Sequence, residues 1–401
     1  MKRFIITAIF LFCALNSAFS ADFGLLLNNK FEFEENKFTY NPGFTPWVSY
    51  TNGKGFSLYF SFLLSLKYAT DYSGNGSWEP QPSSSVFAPE IARFAVSYRE
   101  QKFLLEAGRI GYSDILGFTA SGLFDGIRAE FTLPSGSLGV NALYTGFQYK
   151  ETAKITMTDD DVSTYNEAWN FNADTFNNYF ASQRLVSSFN LNFFIGNASS
   201  MSAEIMAQFD LTGNNNLLHS QYGAVKFDLN PANTVRITFG ALFETMMSGN
   251  WDFNGIALGA LAQFKIDLPT KINDRFGITA KFTTGSFDNT ITAFTPISTV
   301  QQGMIFDHPL SALANIGIDY NVKIIDSLFA DFSVNYFINT DIDSQAEGFS
   351  YGGEIWAAFA WQPLDDIRAT LGGGVFLPIL GDIPADSNIM WKITAGLTIS
   401  L

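Results

Sequence analysis

Along most of the chain, apolar and polar side chains alternate one for one. Phe56, Leu58, Phe60, Phe62, Leu64, Leu66 and Tyr68 are spaced by residues that include Ser57, Ser61, Ser65 and Lys67. Ile127, Ala129, Phe131 and Leu133 enclose Arg128 and Glu130, and Val235, Ile237, Phe239, Ala241 and Phe243 enclose Arg236 and Thr238. Successive side chains of a β-strand point to opposite faces, so this pattern predicts strands with one apolar and one polar face. A helix would repeat its apolar positions every 3.6 residues, and these windows do not. About 18 such segments can be read, near 24–34, 45–52, 55–69, 90–99, 102–110, 124–133, 138–149, 182–195, 201–211, 217–229, 234–246, 255–267, 275–285, 311–321, 328–339, 348–361, 366–377 and 389–401. The second and fifth are short, and without them the number is 16.

The connections differ by parity. Those after even-numbered segments are short and rich in turn residues, as at Asn52–Gly55, Pro134–Ser137 and Asn230–Asn233. The longest, near 70–89, 150–181, 286–310 and 378–388, all follow odd-numbered segments. That asymmetry predicts a closed antiparallel transmembrane β-barrel with both strand ends and the short turns on one side of a membrane.

Composition agrees. Aromatic residues make up 16% of the 401 residues and charged residues only 15%. After Leu15 no run approaches the roughly 20 apolar residues of a spanning helix. The first 20 residues read as a signal peptide: Lys2 and Arg3 form the basic start, Phe4–Leu15 the apolar stretch, and Ala18 and Ser20 the small residues before a cut at Ala21. The domain reading is therefore 1–20 signal peptide and 21–401 barrel. The only cysteine, Cys13, falls in the signal segment, so the mature chain has no disulfide or thiolate chemistry. Losing Lys2 and Arg3 from 23 basic residues leaves 21 against 38 acidic ones, a net charge near −17 that argues against nucleic-acid binding.

The last segment places Trp391, Ile393, Ala395, Leu397, Ile399 and Leu401 on one face and Lys392, Thr394, Gly396, Thr398 and Ser400 on the other. It resembles the C-terminal signal by which the barrel-assembly machinery accepts outer-membrane proteins, although Leu401 stands where Phe is usual. The chain as a whole is similar to porin-type barrels and, through features such as the Gly-Arg-Ile-Gly at 108–111, to barrels of spirochaetes of the Treponema type. The resemblance is architectural and carries no site residues over. It implies an outer-membrane channel for passive diffusion of small hydrophilic solutes, in contact with membrane lipid and without a cofactor. Porin-type barrels often form homotrimers, and no single strand face here marks such an interface. The alternatives are a transporter of hydrophobic compounds, for which Phe194 and Leu242 sit at nominally inward positions, and a surface adhesin or structural barrel working through its long loops.

Alternation also assigns charges to the lumen. A Lys or Arg facing lipid at the midplane costs about 2–4 kcal/mol, so charged strand residues are placed inside. They include Arg93, Glu106, Arg128, Glu130, Glu204, Arg236, Glu244, Lys265, Asp331, Glu354, Arg368 and Lys392. They either pair across strands or form a field that selects solutes. A barrel of this size leaves a water-filled lumen unless something narrows it. The connection 111–123, with Tyr112, Ile115, Leu116, Phe118 and Leu123, is too apolar for an exposed loop and is expected either to constrict the lumen or to pack on the rim.

Three further motifs are weak. Asp159, Asp160 and Asp161 lack the spacing of an EF-hand and read as a solvated acidic loop, followed by Tyr165, Trp169 and Phe171. Gly372, Gly373 and Gly374 lie in a strand and read as a bend or a close backbone approach. Of the two histidines, His219 stands beside Ser220, and Asp307–His308 is an acid–base pair only by adjacency. No enzyme activity or metal site is expected.

Overall fold

The computed structural model describes residues 21–71, 84–169, 172, 174–196, 198–213, 217–287, 290–341, 348–381 and 388–401. The proposed signal peptide and part of several long connections lie outside these residues. Among the described residues there are eighteen strands. They are β1 (Ala21–Glu34), β2 (Lys37–Thr51), β3 (Phe56–Asp71), β4 (Ser84–Glu100), β5 (Phe103–Ser113) and β6 (Ser121–Leu133). Next come β7 (Gly136–Tyr144), β8 (Arg184–Ile195), β9 (Ser199–Asp210), β10 (His219–Ala232), β11 (Val235–Met247) and β12 (Phe253–Asp267). The last six are β13 (Arg275–Thr283), β14 (Leu313–Ile325), β15 (Leu328–Asn339), β16 (Ser350–Leu364), β17 (Ile367–Leu377) and β18 (Met390–Ser400).

Each strand pairs antiparallel with its sequence neighbours, and β1 pairs with β18 from Leu26↔Ser400 to Glu34↔Lys392. The ring therefore closes with no free edge, which is what a sheet needs in lipid, where an unpaired backbone N–H or C=O has no water to bond. All eighteen predicted strands are present. The outward positions carry large exposed apolar side chains such as Ile127, Ile205, Phe239 and Ile355, and the alternate positions face the lumen.

The connections keep the expected asymmetry. At the end that holds Ala21 and Leu401, the turns after β4, β6, β10, β14 and β16 are two residues long. At the other end lie the long connections 145–183 and 284–312. One expectation fails. Residues 35–44 are not a connection: β2 begins at Lys37, and the turn before it is Glu35–Asn36, with Glu35 at φ 46°. Pro42 and Pro46 hide this strand in the sequence. They are tolerated because the β2–β3 ladder is interrupted around them, between Tyr40↔Tyr68 and Gly43↔Ser65 and between Phe44↔Leu64 and Trp47↔Ser61. A residue without an N–H fits where no ladder bond is made.

The glycine run at 372–374 is a close approach. Gly372 and Gly374 share the inward parity of β17, and a Cβ on Gly372 would stand 2.6 Å from the Trp356 indole of β16. The buried indole takes the space that side chains would have filled.

Candidate functional site: a lumen filled by three loops

The half of the barrel toward the long connections is occupied by its own loops. The segment 114–120 joins β5 to β6, yet its Leu116 lies against Gly240 of β11 and its Phe118 against Gly259 of β12. Those strands are a third of the ring away, so the segment must cross the lumen. Glycine at both wall positions leaves room for the incoming side chains. Asp114 shapes the turn: its carboxylate accepts the backbone N–H groups of Leu116, Phe118, Thr119 and Ala120 at 2.8–3.3 Å.

The other two loops meet it there. Ile297 and Ser298 donate their N–H groups to Thr119 O (2.7 and 3.1 Å), and Thr156 N–H donates to Ile297 O (2.9 Å). Leu116, Phe118, Ile155, Phe294, Ile297 and Ile305 form one buried apolar cluster with inward wall residues such as Leu143, Val186, Leu242 and Phe337. It is a core of the kind found inside a soluble domain, set inside a barrel.

Three wall carboxylates fasten these loops. Glu204 on β9 accepts the Ile115 N–H at 2.9 Å and the Tyr112 hydroxyl. Glu244 on β11 accepts the Thr295 N–H at 2.9 Å. Glu354 on β16 accepts from three successive N–H groups, those of Met304, Ile305 and Phe306, at 2.8–2.9 Å. Glu244 and Glu354 are 0% exposed. Each buried N–H they accept would cost about 1–3 kcal/mol if left unpaired, so these are strong fastenings.

The long connection 145–183 is held by two ion clusters. Its helix α1 (Asp159–Tyr165) is capped by Thr158, whose hydroxyl accepts the Asp161 N–H while the Asp161 carboxylate accepts the Thr158 N–H at 2.9 Å. Asp161 is buried, in contrast to the solvated acidic loop expected, because Arg184 of β8 ion-pairs with it. Arg184, 0% exposed, also meets Asp210 of β9 at 2.6 Å. Burial raises the pKa of Asp161. The Thr158 backbone and the Arg184 guanidinium outweigh that and hold the carboxyl below its usual range. Arg109 of β5 forms the second cluster. It is bidentate to Asp125 at 2.9 Å, stands 3.5 Å from Glu90 of β4, and donates to Phe147 O at 2.9 Å. Arg109 shares strand parity with the exposed Leu105, a position the lumen rule passes over. It is accepted because two carboxylates and the overlying loop bury it.

All twelve candidate lumen charges occupy the parity opposite the exposed apolar residues, and they fall into three groups. Glu204, Glu244 and Glu354 are covered by loops. Glu106 stands 3.7 Å from both Arg93 and Arg128, and Lys392 lies 3.8 and 3.9 Å from Glu32 and Glu34. Glu130, Arg236, Lys265, Asp331 and Arg368 make no ion pair within 4.0 Å among the described residues. Arg236 lies directly across from Lys265 in the ladder, close to the short turns, and Asp331 and Arg368 line a cavity of about 540 Å³ at the same end.

Of the expected constriction residues, Tyr112, Ile115, Leu116 and Phe118 join the loop cluster. Leu123 does not: it precedes the inward Phe124 on β6 and lies outward, 42% exposed. Leu242 is buried beneath the loops, and Phe194, 59% exposed, lies near the short-turn end, so the two do not form one apolar path. His308 stacks on Phe306 and its Nδ1 lies 2.7 Å from Pro309 O, and the described contacts do not join it to Asp307. His219 stacks on Trp251 with ring centroids 4.5 Å apart. Among the described residues no three His, Cys, Asp or Glu side chains come together as a metal site would require.

No protein-family model matches the chain, and no curated protein resembles it in sequence. Solved structures resemble it in fold. OccK5 (OpdH) of Pseudomonas aeruginosa has a TM-score of 0.60 at 12% identity, over 95% of this chain and 98% of that one. The outer membrane protein OpdK of Pseudomonas aeruginosa has a TM-score of 0.59 at 10% identity, over 95% and 99%. OccAB2 of Acinetobacter baumannii has a TM-score of 0.56 at 11% identity, over 95% and 98%. Nothing in these likenesses supports the spirochaete type. What the chain shares with these proteins is the fold, a closed barrel of 18 antiparallel strands.

Proposed function

We propose that the protein is an outer-membrane, porin-like channel for passive diffusion of small hydrophilic solutes. The observation that carries this reading is a closed 18-strand ring, apolar outside and polar inside toward the short turns, whose lumen is narrowed toward the long connections by its own loops. The likeness in fold to an outer membrane protein supports it. In this reading the short turns and both strand ends face the periplasm, and 114–120 with 284–312 set the constriction, through Tyr112, Ile115, Leu116 and Phe118. No cofactor is involved. The β18 face from Trp391 to Leu401 is the signal for the barrel-assembly machinery, and residues 1–20 are removed, leaving Ala21 first. A homotrimer is the assembly this reading favours.

Reconstitution of purified, folded protein into planar lipid bilayers tests it. Discrete conductance steps are expected, and a barrel that inserts without conducting ions would reject the channel. Sequencing the protein from an outer-membrane fraction should give Ala21 as the first residue. Crosslinking in the same membranes should give a trimer.

A further inference from the structure

We infer that the lumen wall beside Tyr112 is a binding niche for uncharged, hydroxyl-rich solutes of mono- or disaccharide size, an inference that rests on the channel reading. The niche lies on the wall from β5 to β9, beside the 114–120 segment, and encloses about 570 Å³, within the roughly 300–1,000 Å³ range of small-molecule sites. Its polar lining is mostly neutral: Asn141, Asn190 and Asn192, with Ser137 and Ser202.

The niche is lined by two charges, Arg128 and Glu130. Arg128 faces Glu106, donates from Nε to Asn141 Oδ1 at 3.2 Å and from Nη2 to Gly111 O. Two of its three guanidinium nitrogens are thus engaged by neutral acceptors. Glu130 follows two residues along on the same face and makes no ion pair among the described residues.

What remains available is amide chemistry. The Asn190 amide lies along the wall where Gly139 has no side chain, since a Cβ there would stand 2.4 Å from Asn190 Oδ1. It makes no hydrogen bond to another described residue. Asn192 accepts from Ser202 at 3.3 Å through Oδ1, which leaves its two N–H donors. A carboxamide presents a donor and an acceptor side by side, and a vicinal diol does the same. An ionic solute here would exchange its water mostly for neutral dipoles, whereas a sugar would replace each water hydrogen bond with an equivalent one. A second, smaller niche of about 220 Å³ on β12 to β15 is lined by Gln263, Thr279, Asn315 and Asn335 together with the charged Asp319 and Lys281, the latter donating to Gln302 at 2.9 Å.

The test is single-channel recording with glucose, sucrose, arginine and benzoate added separately. Sucrose and glucose should interrupt the current at concentrations at least tenfold below those needed for arginine or benzoate. Asn190→Leu should raise the half-blocking sucrose concentration about tenfold, and Asn190→Ala should do so with less steric disturbance, each in protein shown to be folded by heat-modifiable gel mobility. Asp331→Asn, at a wall charge of a different cavity, should change it less than threefold. Block by arginine or benzoate at lower concentration than sucrose overturns the inference, as does sucrose block unaffected by either Asn190 variant. Conductance without sugar block rejects this inference alone. Absence of conductance rejects the channel reading along with it.

Discussion

Glu354 accepts three consecutive backbone N–H groups in a site closed to water, and each of those donors costs about 1–3 kcal/mol if left unpaired. Glu354→Ala is therefore expected to release the 284–312 connection while the strands stay paired. Proteinase digestion of the folded protein should then cut within 284–312, and open-channel conductance should rise; Glu354→Gln, which keeps acceptor oxygen, should do less of both. Arg184→Met makes a parallel case. It strands two buried carboxylates, and breaking a buried ion pair from one side costs about 3–5 kcal/mol, so connection 145–183 should become protease-sensitive at pH 7. Asp161 adds a pH dependence. Its carboxyl is held below its usual range in the folded state. The stabilisation is therefore fully present above the unfolded-state pKa of about 3.9 and is lost as pH falls through the lower folded value. Wild-type protein at pH 2–3 should show the cleavage of 145–183 that Arg184→Met shows at neutral pH, and resistance at that pH would count against the anchor. The inward parity of the glutamates was legible in the sequence, because alternation decides it. Their role was not, because the groups they hold lie about 50 to 90 residues away in the chain. The burial of Asp161 is hidden in the sequence for the same reason: its partner is Arg184, on a wall strand that follows the loop.

At the level of elements, the strands were readable because burial imposes period 2 wherever one face meets lipid and the other does not. β2 was cut short because its prolines interrupt the signal, although they stand where the ladder to β3 is already broken. The glycines of β17 show how packing between neighbouring strands can be measured. Gly372→Ala should destabilise the barrel, since the new methyl meets the Trp356 ring at 2.6 Å. Trp356→Leu in the same chain should recover part of the loss, with a coupling of about 1–2 kcal/mol in denaturant unfolding from lipid vesicles. Simple additivity of the two changes would refute the proposed contact.

For the whole molecule, the barrel carries two kinds of stability side by side. Toward the short turns the wall is a polar-lined cylinder that depends on lipid for its outer face. Toward the long connections the same wall is the shell of a water-excluding core built from 114–120, 145–183 and 284–312. Replacing 114–120 with a short glycine turn removes Leu116 and Phe118 from that core and should enlarge the single-channel conductance severalfold without preventing ring closure. An unchanged conductance would show that the route for ions avoids this segment. Ring topology could be deduced from alternation and connection lengths. The core could not, since it assembles from segments with no common period and contacts as long as the 179 residues between Thr119 and Ser298.

That long span has a consequence for biogenesis. If the wall zips in chain order, the Thr119 and Ser298 segments meet only once β6 to β13 stand between them, and the interior fills late. In the channel reading, a newly inserted molecule would then pass through a stage with a complete wall and an empty bore, a leak in the membrane it spans. The wall glutamates that catch the loops shorten that interval. A chain with slow-docking loops would be toxic for what it leaks before it is finished.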